Sequence, residues 1–131
     1  MNMNNQGKQQ DFAHVTAVID KYFEGIHNGD VALLAEIFHP DAWLKVPLQR
    51  RNLKQWLADV KERSVPAQLG LPYAYRVLSV EVIHHQAMVK AYCPLFDFIY
   101  IDFLGLLKEH GRWRIVNKMY VDVKSAHIEN E

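Results

Sequence analysis

Between Asp11 and Asn28 the large apolar residues stand at Phe12, Val15, Ile19, Tyr22 and Ile26, three or four apart, which puts them on one stripe of a helix. Asn28-Gly29 predicts the end of that helix, because glycine accepts the left-handed backbone just past a C-terminus. Asp30 predicts the cap of a second, short helix over Val31 to Phe38, stopped by His39-Pro40. A third helix starts at Asn52. Gln55 is spaced to bond back to its first turn, and Leu53, Trp56, Leu57 and Val60 share one face. Between the second and third helices, Ala42 to Pro47 reads as a short strand, and Gln49-Arg50-Arg51 as a solvated loop.

After Pro72 the character changes. Tyr73–Ile83, Ala87–Cys93, Asp97–Leu107 and Trp113–Val123 are rich in Val, Ile, Tyr and Phe, and His84-His85-Gln86, Pro94 and His110-Gly111 separate them. Helices followed by a meander of strands predict an α+β fold with the helices packed on one face of the sheet. One domain, residues 11–124, is expected between an Asn/Gln-rich flexible tail (1–10) and a short C-terminal tail (125–131).

One strand breaks the usual alternation. Phe96 to Leu107 is apolar on both faces, interrupted by Asp97, Asp102 and Gly105. Antiparallel strands with one wet face normally alternate. Such a strand is expected to be covered twice, by helices on one side and a second subunit on the other, which predicts a homodimer through the sheet.

Composition narrows the function classes. Half of the 131 residues are hydrophobic, and fifteen basic residues balance fifteen acidic ones. A neutral chain argues against nucleic acid or anionic membrane as partner. No apolar run approaches the roughly 18 residues of a membrane helix, and the start lacks a secretory pattern, so the cytoplasm is the expected compartment. Cys93, the single cysteine, falls in an apolar run and reads as a core thiol.

Candidate chemistry is sparse. His84 and His85 are adjacent, so a regular strand would point them to opposite faces, and no HExxH, HxH or carboxylate cluster suggests a metal. Neither a phosphate-cradling glycine loop nor a Gly-x-Ser-x-Gly elbow occurs, and no cofactor is implied. Trp43, Trp56 and Trp113, with Tyr22, Ile26 and Tyr100, could line a cavity for a small apolar or aromatic ligand. Asp102, mid-strand between Ile101 and Phe103, needs a partner if buried. It is either a structural bridge to Lys118 or a polar anchor in a pocket. A three-residue turn at His110 places 102 opposite 118 on one face, whereas a two-residue His-Gly turn sends Lys118 to the other.

The run KYFEGIHNGDVALLAEIFHPDAWLKV, Lys21 to Val46, resembles the opening of nuclear-transport-factor-2-like proteins. The later run YIDFLGLLKEHGRWRIVNKMYVDV, Tyr100 to Val123, resembles the closing hairpin of their SnoaL-like, putative lumazine-binding branch. The resemblance implies a cone-shaped fold, three N-terminal helices in the concave face of a curved, mostly antiparallel sheet, with a pocket at the open end and usually a dimer. It does not imply one activity, since the superfamily includes isomerases, dehydratases, cyclases and transport adaptors.

In the resembling isomerases a donor Tyr lies eight residues before the Asp of Gly-Asp, and Tyr22 holds that position before Gly29-Asp30. Their base precedes a proline in the first strand, where this chain has Val46 before Pro47. Valine takes no proton, so ketosteroid isomerisation is disfavoured. Asp102 stands one residue out of step with their donor Asp. Lys118, in Val-Asn-Lys, belongs to the motif of the branch. Three readings follow: a pocket protein that need not be catalytic, an enzyme using Tyr22 and Asp102 with His39 as base, or an interaction module using the sheet face. Ligand contact is expected at Tyr22, Ile26, Trp43, Trp56, Tyr100, Asp102 and Lys118.

Overall fold

The computed structural model describes residues 2–124. Three helices pack on one face of a curved six-stranded sheet, the α+β arrangement expected from the sequence. The elements are α1 (Asn2–Asn28), α2 (Val31–Ile37), β1 (Phe38–Val46), β2 (Gln49–Asn52), α3 (Leu53–Glu62), β3 (Arg76–Ile83), β4 (Gln86–Leu95), β5 (Phe98–Glu109) and β6 (Arg112–Asp122).

The helix ends follow the local chemistry. Gly29 takes φ +61°, and the Asp30 N–H reaches back to the Gly25 carbonyl at 2.9 Å. The Asp30 side chain then accepts from the Leu33 N–H at 3.1 Å, capping α2. Asn52 and Gln55 form a reciprocal capping box on α3. Residues 2–10, read as a flexible tail, continue α1 instead, because no proline interrupts them and Gln6, Lys8, Gln9 and Gln10 are good helix formers. The tail at 125–131 lies outside the described residues.

The sheet order is β2-β1-β6-β5-β4-β3. β3 to β6 form the expected antiparallel meander, and β1 lies parallel to β6. Two features depart from the sequence expectation. Gln49-Arg50-Arg51 is not a loop but most of β2, paired back on β1 through a two-residue Pro47-Leu48 turn. Leu48 adopts φ +68° there, as the third position of a type II turn requires. α2 stops at Ile37, just before His39-Pro40 as expected, but the strand that follows starts at Phe38 rather than at Ala42. α2 passes directly into β1, and the ladder register jumps between Phe38 and Trp43, so Pro40 sits in an irregular stretch where its missing N–H costs no ladder bond.

Val15, Ile19, Tyr22, Leu34, Phe38, Leu44, Trp56, Leu104 and Ile115 form the core between helices and sheet. On the face away from the helices, Ile99, Ile101 and Phe103 of β5 are half-buried beside the exposed Met88, Met119, Val121 and Trp43. No helix among the described residues is long and apolar enough to cross a membrane.

Candidate functional site

The concave face of the sheet meets the helices around a partly open cavity of about 180 Å³. α1 contributes Tyr22 and Ile26, and α3 contributes Trp56 and, at its C-terminal cap, Arg63. Arg51 enters from β2, and Cys93 and Leu95 from β4. Tyr100 and Asp102 come from β5, Lys118 and Tyr120 from β6. A larger depression of about 430 Å³ lies at the β3–β4 hairpin beside His84, His85 and Met88. It is a more open depression built from a single hairpin, whereas the smaller cavity gathers polar side chains from several separate elements and is the better site.

Strand register explains why these side chains converge. The His110-Gly111 turn has two residues, pairing Glu109 with Arg112. Continued without a break, that register would set Asp102 opposite Met119 and turn Lys118 outward. A bulge at Val116 intervenes: Leu106 pairs with Ile115, but Gly105 pairs with Asn117. Beyond it the inward residues of β6 change from Trp113 and Ile115 to Lys118 and Tyr120. Asp102 therefore faces Tyr120 across the ladder and Lys118 diagonally.

Asp102 is 2% exposed and Lys118 8%. The Tyr22 hydroxyl donates to Asp102 Oδ2 at 2.6 Å, and Lys118 Nζ lies 4.0 Å from the same oxygen. The ammonium also sits 4.7 Å from the Trp56 ring centroid and 5.2 Å from those of Tyr22 and Tyr120, a three-ring cation–π setting. Burial holds Lys118 below the ordinary lysine range against the pull of Asp102, and Arg63 and Arg51 press it in the same direction as burial. Burial, then the Asp102 charge, raises the Tyr22 phenol well above its usual range, so it stays a donor. The Cys93 thiol is pushed up strongly by burial and by Asp102, which suits the inert core thiol expected of it.

Two arginines complete the wall. Arg51 donates to Asp59 Oδ2 at 2.7 Å and to the Tyr120 hydroxyl at 2.6 Å. The Arg63 guanidinium lies 5.6 Å over the Phe96 ring, and its Nη2 is buried with no hydrogen-bond partner.

Of the residues singled out from sequence, Tyr22, Ile26, Trp56, Tyr100, Asp102 and Lys118 line the cavity. Trp43 does not. It is 43% exposed, because Ala42 and Leu44 take the inward positions on either side of it. Trp113 packs at the other end of the sheet and donates to Asp11 Oδ1 at 3.1 Å. His39 also lies away from the cavity, 3.7 Å from Glu109 beside the β5–β6 turn. β1 runs from that turn towards the cavity, so its first residues are the distant ones. Arg51, Arg63, Cys93, Leu95 and Tyr120 also line the cavity, although the sequence does not mark them as ligand contacts. Pro47 at a turn position hinted at the hairpin that turns Arg51 inward. Arg63 left no signal, since a basic residue at a helix C-terminus is ordinary. No group of three or more His, Cys, Asp or Glu among the described residues is placed to hold a metal ion.

The chain belongs to the family described as "Putative lumazine-binding", which it matches over residues 10–121. Its fold is similar to that of a nuclear-transport-factor-2-like protein of unknown function from Silicibacter pomeroyi, at 22% identity over 88% of this chain and 98% of that one, with a TM-score of 0.72. A second such protein, from Shewanella baltica, is 20% identical over 86% of this chain and 93% of its own, with a TM-score of 0.74. An uncharacterised cystatin-like protein from Caulobacter vibrioides is 18% identical over 92% and 94%, with a TM-score of 0.61. None of the curated proteins matches this chain.

Proposed function

We propose that this chain is a small-molecule-binding protein, that its ligand occupies the cavity under α1 and α3, and that catalysis is not required for the role. The observation that carries this reading is the convergence of polar side chains from separate elements on one partly open, aromatic-lined cavity. Core packing alone does not call for buried Asp102 and Lys118. The family's name agrees with a binding role.

An enzyme of the cyclase, dehydratase or isomerase kind is the second reading, and Asp102, the one carboxylate among the lining residues, favours it. Two features weigh against it. The Tyr22 proton is already given to Asp102 rather than to a substrate oxygen, and His39 lies outside the cavity. We place a second copy of the chain on the outer face, where Ile99, Ile101, Phe103, Met119 and Val121 form an apolar surface.

Native mass spectrometry of freshly purified protein, followed by denaturing extraction, tests both parts. A dimer carrying a stoichiometric small molecule is expected. A bare protein that binds no small probe would end the pocket reading, and a single-chain mass at micromolar concentration would end the dimer.

A further inference from the structure

The charges lining the cavity do not balance. Three of its residues are cationic, Arg51, Arg63 and Lys118, against the single carboxylate of Asp102. Arg51 is answered by Asp59 and Lys118 by Asp102, each within ion-pair distance. Among the described residues Arg63 has no ion pair, and its Nη2 is buried without a hydrogen-bond partner. A buried guanidinium edge left unsatisfied is costly, and proteins normally pair it.

We infer that the cavity is built for a compact monoanion, a carboxylate carried on a single aromatic ring, whose carboxylate meets Arg63 and Lys118. The inference rests on the pocket reading above. One uncompensated positive charge calls for one negative charge, and the planar guanidinium fork matches a carboxylate. The size agrees. The cavity, about 180 Å³, is near the roughly 150 Å³ that accommodates benzene and below the roughly 300 Å³ where drug-sized pockets begin. Trp56, Tyr22, Tyr100 and Tyr120 supply ring faces and edges for the aromatic body. The lowered pKa values of Arg63 and Lys118, each caused first by burial, fit a site whose positive groups lack a full complement of anions.

The test is calorimetric titration of the full chain with benzoate and with its neutral isostere benzamide, in the parent and in Arg63→Gln. Benzoate should bind at least about tenfold more tightly than benzamide, and Arg63→Gln should abolish most of that preference. Arg63→Lys, which keeps the charge without the fork, should be intermediate and stands in if the glutamine variant does not fold. Equal affinity for the two probes, or a benzoate preference that survives Arg63→Gln, would overturn the anion assignment while leaving the cavity as a binding site. Failure of both probes would overturn it too, and a bare native mass alongside would remove the pocket reading as well.

Discussion

Lys118 lies diagonally across the β5–β6 ladder from Asp102, with Nζ 4.0 Å from Oδ2, and it does so because Val116 is an extra residue in β6. The tight turn at His110-Gly111 would have put the two on opposite faces. The bulge reverses that parity for the last part of β6, carrying Tyr120 inward together with Lys118. One unpaired residue thus brings Lys118 and Tyr120 into the cavity.

The Tyr22–Asp102–Lys118 cluster should be coupled. Tyr22→Phe removes the 2.6 Å hydrogen bond to the buried Asp102 carboxylate and should cost about 1–2 kcal/mol. Asp102→Asn leaves Lys118 without its carboxylate and should cost about 2–3 kcal/mol, less than a tight buried pair because the separation is 4.0 Å. In urea denaturation the double variant should lose clearly less than the sum of the two. Strict additivity would mean that the cluster does not act as a unit.

Arg63 makes the opposite prediction. Its guanidinium contributes packing over Phe96 but no ion pair among the described residues. Arg63→Met keeps most of the packing and removes the unpaired charge, so the ligand-free protein should be unchanged or stabilised by up to about 1 kcal/mol. A loss of more than about 1 kcal/mol in the same denaturation assay would show that the charge is structurally compensated.

Leu48 is fully solvent-exposed at 105% and held at φ +68° in the β1–β2 turn. A leucine there bears the steric cost of the left-handed region without packing in return. Leu48→Gly should raise the unfolding free energy by about 0.5–1 kcal/mol, after allowing for the greater entropy of glycine in the unfolded chain. No gain in denaturant midpoint would mean that the turn is unstrained.

Alkaline pH should reveal Tyr75. Its hydroxyl shares a 2.7 Å hydrogen bond with His27 Nδ1, and burial pushes its pKa up to about 12. A group whose folded pKa exceeds its unfolded value contributes fully below the unfolded value, near 10, and loses that contribution as pH rises through the folded one. Between about pH 10 and 12 the protein should therefore lose stability, about 1 kcal/mol from Tyr75 alone by pH 11. Tyr75→Phe should weaken the fold at neutral pH yet flatten this alkaline slope in thermal melts. An unchanged slope would assign the effect elsewhere, for instance to Tyr22, which burial also raises.

Much of the fold was legible in the chain because the signals are local. The apolar stripe of α1, the Gly29 stop, the Asp30 cap and the Asn52–Gln55 box each depend on neighbours within a turn, and each stands where its residues predicted. The strands of the meander were legible in the same way, and so was the unusual β5, apolar on both faces. The site was legible in pieces. Tyr22, Asp102 and Lys118 could be named from residue type and resemblance, but whether they met could not.

That meeting depends on register, and register is a pairing between strands rather than a property of either. The turn at His110-Gly111 admitted two alignments, and the bulge at Val116 produced one that neither turn length alone predicts. The same holds for Arg51, which reads as a loop residue until β2 folds back on β1, and for Arg63, which reads as a helix-end charge until the sheet closes over it. By itself the sequence determined the elements, their order and the amphipathic faces that pack them, since these rest on contacts within a few residues. The tertiary structure alone decided which polar groups share a cavity and that its positive charge exceeds its negative. Those facts depend on strands and helices far apart in the chain being brought together with one particular parity.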